Sequence, residues 1–226
     1  MGQRLPDTQP TPVSGSGRGR VGIVIEEVSP GLWYWSSRHP NHGQLVSSYY
    51  LANEGVLLDP MLPPDGMSFF ESVSTPEHVL LTNRHHDRDA WKIRERVECE
   101  VHCIANGCYE LEGRGPVTPF EFGEELPGGI HVYEVDAICP DETALFIPAH
   151  RALACADGVV HWPGVDGLTF VSDELMDDPP ETKRGLVNAY RSLLELDFEL
   201  LLLAHGTPEH DGKRALRDFT RDHAGD

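Results

Sequence analysis

The chain has 226 residues, 39% of them hydrophobic, and its 18 basic and 37 acidic side chains give a net charge of −19. That length suits one domain with a sizeable core, and the charge argues against nucleic acid or an anionic membrane as main partner, because the summed field repels phosphate. No apolar run is long enough to span a bilayer, and the five cysteines, an odd number, read as reduced thiols and not as a disulfide framework.

Residues 1–20 are polar and rich in Pro, Gly and Ser, so a flexible tail is expected there, ahead of a single domain over residues 21–226. The tail lacks the apolar segment of a secretory signal, which makes the cytoplasm the expected location. From Val21 the pattern changes. Val21–Val28, Leu32–Trp35 and Leu45–Ala52 are β-branched or aromatic runs separated by Ser-Pro-Gly and Asn-His-Gly turns. Val56-Leu57-Leu58 is a short buried strand ending in Asp59-Pro60. Pro64–Val73 suits a short helix, with Asp65 near its positive end. His78–Thr82 is an apolar strand that runs into the polar loop Asn83-Arg84-His85-His86-Asp87-Arg88-Asp89, and Ala90–Val97 reads as a helix.

Further along, Ile130–Val135, Thr143–Ile147 and Ala152–Cys155 read as strands. Pro180–Leu196 carries the strongest helical spacing, through Leu186, Tyr190, Leu193 and Leu194. Phe198–Leu203 is a buried strand and Gly212–His223 a closing helix. Cys99, Cys103 and Cys108 cluster without a second C-x2-C pair, so buried thiols acting as small hydrophobes explain them better than zinc does. The order of elements predicts an α/β (α+β) protein with two sheets face to face and helices outside.

Ionisable groups gather where strands end. Asp59 closes one strand, the Asn83–Asp89 loop follows another, and Asp157 and His205 each follow an apolar run. Strand ends are where loops converge on a shared crevice in α/β folds.

Five features, in order, carry a resemblance to the metallo-β-lactamase superfamily: Leu58-Asp59-Pro60; Thr82 to Arg88; Cys139-Pro140-Asp141-Glu142-Thr143; Ala156-Asp157-Gly158; and Ala204-His205-Gly206. The resemblance covers almost the whole chain after the tail. It implies a four-layer αββα sandwich that binds one or two metals, usually zinc, sometimes iron or manganese, and hydrolyses β-lactams, thioesters, lactones or phosphodiesters. The family's H-x-H-x-D-H motif reads N-x-H-x-D-R here. Carried over position by position, the resemblance places Asn83, His85 and Glu142 around a first metal, with Asp157 bridging, and Asp87, Asp157 and His205 around a second, with Arg88 intruding. His161 and His102 are substitute ligands only if the fold brings them close.

Chemistry narrows this set. One His with an amide oxygen is a thin shell for zinc, and an oxygen-rich set suits manganese or ferrous iron better. A guanidinium ~4 Å from a dication is opposed by about 8 kcal/mol at an effective dielectric of 20, so two metals are not expected beside Arg88. The reading that follows is a hydrolase with at most one divalent metal (zinc, iron or manganese), acting on a small ester, thioester, lactone or phosphodiester. Asp87 would act as general base and Arg88 would stabilise the oxyanion. The alternative is a metal-free binding protein for a small molecule, an anion or a protein partner, in which Arg84 and Arg88 neutralise Asp87 and Asp157.

Overall fold

The computed structural model describes residues 25–225. The tail expected over residues 1–20 and the first residues of the strand expected from Val21 lie outside the described residues.

Seven strands form the first sheet: β1 (Glu26–Ser29), β2 (Leu32–Arg38), β3 (Leu45–Leu51), β4 (Val56–Leu58), β5 (His78–Leu80), β6 (Glu100–Ile104) and β7 (Thr118–Phe120), side by side in chain order. The first four pair antiparallel and β4 to β7 run parallel. Five strands form the second sheet, in the order β12-β11-β10-β9-β8: β8 (Glu125–Leu126), β9 (Ile130–Glu134), β10 (Thr143–Ile147), β11 (Ala152–Cys155) and β12 (Leu200–Leu203). Here only β11 and β12 are parallel. The helices are α1 (Ser68–Ser72), α2 (Ala90–Val97), α3 (Pro179–Leu193) and α4 (Gly212–Asp222).

The layering follows from the period-2 alternation of strand side chains. Leu200 and Leu202 of β12 join the core between the sheets, whereas Leu201 and Leu203 join a second core with Leu186, Tyr190, Leu216 and Phe219 of α3 and α4. All four leucines are buried, as expected of a strand covered on both faces. On the other side, α1 is only five residues long and is held by Phe69 and Phe70, which pack edge-on against Trp35 and Tyr50 with ring centroids 5.4–6.4 Å apart. The result is the helix–sheet–sheet–helix sandwich expected. Among the described residues no helix is long and apolar enough to cross a membrane.

The expected elements are found within a few residues, and three strands escaped the sequence reading. β6 contains Cys103 and His102, which obscured its apolar character; β7 holds Pro119, tolerated because β7 is an edge strand; β8 has two residues. Cys99, Cys103 and Cys155 are buried free thiols, with Cys108 and Cys139 partly so.

The sheets are joined at one corner. Tyr49 on β3 donates its hydroxyl to the Leu203 carbonyl at 2.9 Å and accepts from the Leu203 N–H at 3.0 Å, while the Ser47 N–H donates to the Ala204 carbonyl. These bonds satisfy the outer edge of β12. Replacing Tyr49 with Phe leaves a buried donor and acceptor unpaired. We expect a loss of about 1–3 kcal/mol in a denaturant titration, with a fall in Tm of roughly 2–4 °C per kcal/mol.

Candidate metal centre

β4, β5, β11 and β12 all deliver their C-terminal ends to one rim of the sandwich. Asp59 follows β4, residues 81–89 follow β5, Asp157 follows β11 and His205 follows β12. Glu142 precedes β10, which runs antiparallel to β11, so it reaches the same rim.

Asp59 is 3% exposed, and its carboxylate accepts from the Thr82 N–H (2.8 Å), the Thr82 hydroxyl (2.6 Å) and His86 Nδ1 (2.9 Å). With its Nδ1–H so engaged, the His86 ring turns Nε2 into the cleft, 3.2 Å from Asp157 Oδ1, and in its neutral form would present a lone pair there. His205 repeats the arrangement: Nδ1 lies 3.2 Å from the Leu45 carbonyl, an acceptor only, and Nε2 lies 3.1 Å from the same Asp157 oxygen. The other Asp157 oxygen accepts from Asn83 Nδ2 at 3.2 Å. One ligand atom from each of His86, Asp157 and His205 therefore lies within 4.8 Å of the others. Two lone pairs aimed at one carboxylate oxygen repel unless a cation, proton or metal, stands between them. Burial alone would lower the His86 pKa, but the Asp157 and Asp59 carboxylates outweigh it and raise it to about 9. Burial likewise opposes the ionised Asp157, yet His86 and His205 hold it well below the carboxylate range. In the absence of metal, a proton on His86 plays the cation's part.

Of the residues expected at the centre, the structure brings together Asp157 and His205, with Asn83 bonded to Asp157. It does not bring His85 and Asp87 to them. Arg84–His86 form one turn of 3-10 helix, which rotates about 120° per residue, so neighbouring histidines face different ways. His86 points inward, while the His85 side chain is 56% exposed and its Nδ1 lies 3.8 Å from Glu110. Asp87 accepts from Trp91 Nε1 at 2.8 Å and is ion-paired with Arg114, away from the cluster. His86 was the residue the sequence reading missed. The only signal for it was its place four residues after Thr82, the other partner of Asp59, and no spacing rule reveals that.

The remaining two positions also differ from expectation. Arg88 is half-buried; its Nη1 donates to the carbonyls of Ser47 and Asp59 (2.6 Å to the latter), and it pairs with neither Asp87 nor Asp157. Arg84 pairs instead with Asp141 and Glu110. Neither arginine therefore makes the pairings that the metal-free alternative required. Glu142 stands behind Asp157: its Oε1 accepts from the Gly158 N–H at 2.6 Å, and its Oε2 has no partner among the described residues. Of the substitute ligands, His161 binds Glu209 at 2.6 Å and takes no part.

The cluster lies in a cleft of about 510 Å³ whose walls include His39, His42, Arg88, Trp162 and Leu175. His39 and His42 stack with ring centroids 4.1 Å apart and accept backbone N–H groups at Nδ1, which leaves Nε2–H donors on the neutral rings. Burial, and then their charged neighbours, keep both below the ordinary histidine pKa.

No family model matches the chain, and no curated protein matches it by sequence. Solved structures match its shape. The DIM-1 metallo-β-lactamase is 17% identical with a TM-score of 0.64, over 88% of this chain and 97% of that one. The metallo-β-lactamase from Pontibacter korlensis is 14% identical with a TM-score of 0.64, over 88% and 99%. The Flv1 flavodiiron core from Synechocystis sp. PCC6803 is 12% identical with a TM-score of 0.67, over 89% of this chain and 60% of that longer one. This chain has the metallo-β-lactamase fold. At such identities the likeness speaks to architecture, and any activity has to be argued from the side chains.

Glu142 generates a pH prediction. Burial, reinforced by Asp157, lifts its pKa from 4.5 to about 8. Between those values the folded chain keeps a proton that the unfolded chain has released, so the contribution of Glu142 to stability is full below about pH 4.5 and is lost as pH rises towards 8. Glu142→Gln, which retains the acceptor for Gly158, should flatten that decline in denaturant titrations of metal-free protein between pH 5 and pH 8. An unchanged slope would show that Glu142 is ionised in the fold.

Proposed function

We propose that this chain is a hydrolase that uses one divalent metal held by His86, Asp157 and His205, acting on a small ester, thioester, lactone or phosphodiester. The observation that carries this reading is the pair of imidazole Nε2 atoms aimed at one Asp157 oxygen, each ring fixed from behind through Nδ1. Outer acceptors of this type set the tautomer and orientation of metal-ligating histidines. Two imidazoles and a carboxylate form a suitable zinc shell, with His86 in the place expected of His85, and they also accept iron or manganese.

One metal fits better than two. Asp87 is held by Trp91 and Arg114, and His85 is turned to Glu110. Among the described residues no second donor set faces the cleft.

A divalent cation here would supply Lewis acidity, acidifying a water and polarising the scissile oxygen. The chain's own groups do the rest. Asn83 holds Asp157 in one orientation, and Asp59 and Leu45 hold the two rings. Arg88 contributes fixed positive charge at the cleft wall; its Nη2 is enclosed, so a direct contact with substrate is not its role. His39 and His42 offer N–H donors to a carbonyl, carboxylate or phosphate on the substrate. The acceptor role expected of Asp87 does not suit a carboxylate already bound by two donors.

The experiment is elemental analysis of protein purified without chelators, followed by hydrolysis assays on ester, thioester, lactone and phosphodiester substrates. We expect the wild type to carry one metal equivalent more than His205→Ala, which should also lose activity, and cleft metal affinity to be weakened roughly 10- to 100-fold in Asp59→Asn. EDTA should lower Tm, since a ligand of the folded state stabilises by mass action. No metal in the cleft, with Tm unmoved by EDTA, would instead favour the metal-free binding protein.

A further inference from the structure

A second group of metal-ligating side chains lies away from this cleft, at the other end of the first sheet. His78 opens β5 and Glu100 opens β6, whereas the rim residues follow the far end of β5. The strands are parallel, with His78 in register with Glu100 and Leu80 with His102. Glu100 and His102 are two apart on one strand and so share a face, and His78 meets them from the neighbouring strand.

The distances are informative. His78 Nδ1 and His102 Nε2 are 3.1 Å apart, and Glu100 Oε2 lies 3.8 Å from the first and 3.6 Å from the second. A hydrogen bond between the rings accounts for the shortest edge. It does not account for the carboxylate, which stands beyond hydrogen-bonding range of both nitrogens yet converges on the same point. The circumradius of a triangle is the product of its edges divided by four times its area. For edges of 3.1, 3.6 and 3.8 Å this is about 2.0 Å, against zinc–nitrogen and zinc–oxygen bonds of roughly 2.0–2.2 Å. The three atoms thus already surround a zinc-sized point at bonding distance.

We propose that His78, Glu100 and His102 form a second, separate site for a zinc-type divalent cation, which staples β5 to β6. The side chains of His102 and His78 are 6% and 22% exposed, and that of Glu100 is 63% exposed, so the protein supplies three donors from below and leaves the solvent side open for a water. Burial, and then the neighbouring His78, hold the His102 pKa below its ordinary value, keeping the ring in the neutral form that a metal requires. The site owes nothing to the hydrolase reading; it stands or falls on its own three residues.

The test uses the full chain, stripped of metal and titrated with zinc ion, with binding read by calorimetry and imidazole nitrogens read by proton–nitrogen correlation spectroscopy. His205→Ala, which disables the first cluster, should still bind one equivalent and still gain Tm on zinc addition. Adding Glu100→Ala to that variant should weaken binding by more than about tenfold, since even groups outside the ligand shell cost 10- to 100-fold. Glu100 is exposed, so its replacement leaves folding intact, and His78→Asn supplies an independent check. In the wild type the resonances of His78 Nδ1 and His102 Nε2 should move on zinc addition. The proposal is overturned if those resonances stay fixed at saturating zinc, or if Glu100→Ala and His78→Asn both leave affinity within twofold.

Discussion

Asp59 is the constraint on which the rim depends. A carboxylate buried to this degree, left without donors, would cost several kcal/mol, so the loop after β5 has to arrive with Thr82 and His86 in place. That demand fixes the 3-10 turn over Arg84–His86 and, through it, the direction of the His86 ring. The arrangement carries backbone strain: Asp59 has φ +45° and Arg88 φ +35°, left-handed values that non-glycine residues avoid. Arg88 closes the knot by donating to the carbonyl of Asp59 itself. Strain of this kind persists where surrounding contacts over-determine it, typically beside a working site.

The sandwich was legible because its strands announce themselves. Four consecutive leucines in β12 and the spacing of Leu186, Tyr190 and Leu193 in α3 leave little choice of layer. Asp157 and His205 were legible for the same reason, as polar residues at the ends of apolar runs. The identity of the inward histidine was not. Matching a motif position by position places His85 in the centre, but the local turn decides which of two adjacent histidines faces in. The partners of Asp87 were equally hidden, since Arg114 comes 27 residues later in the chain. His78 and His102 were hidden by strand register, which brings together residues 24 apart and is a product of the whole sheet.

The cleft also departs from the electrostatic character of the chain around it. A molecule with an excess of acidic groups would repel anions, yet the cleft wall carries Arg88, His39, His42 and Trp162 around two carboxylates that are themselves compensated. The local field there is set by groups within a few ångströms, because the more distant exposed charges are screened by salt. Net charge therefore informs on partners of the outer surface and says little about what the cleft admits.

The two sheets are drawn from successive stretches of chain, residues 26–120 and 125–203, with helices contributed from within each stretch or just after it. The rim is consequently a joint property of two halves: Asp59 and His86 come from the first, Asp157 and His205 from the second. Neither half alone holds a full set of donors. Their assembly requires long-range contacts between the two halves, so a chain whose sheets have not docked has no cleft at all.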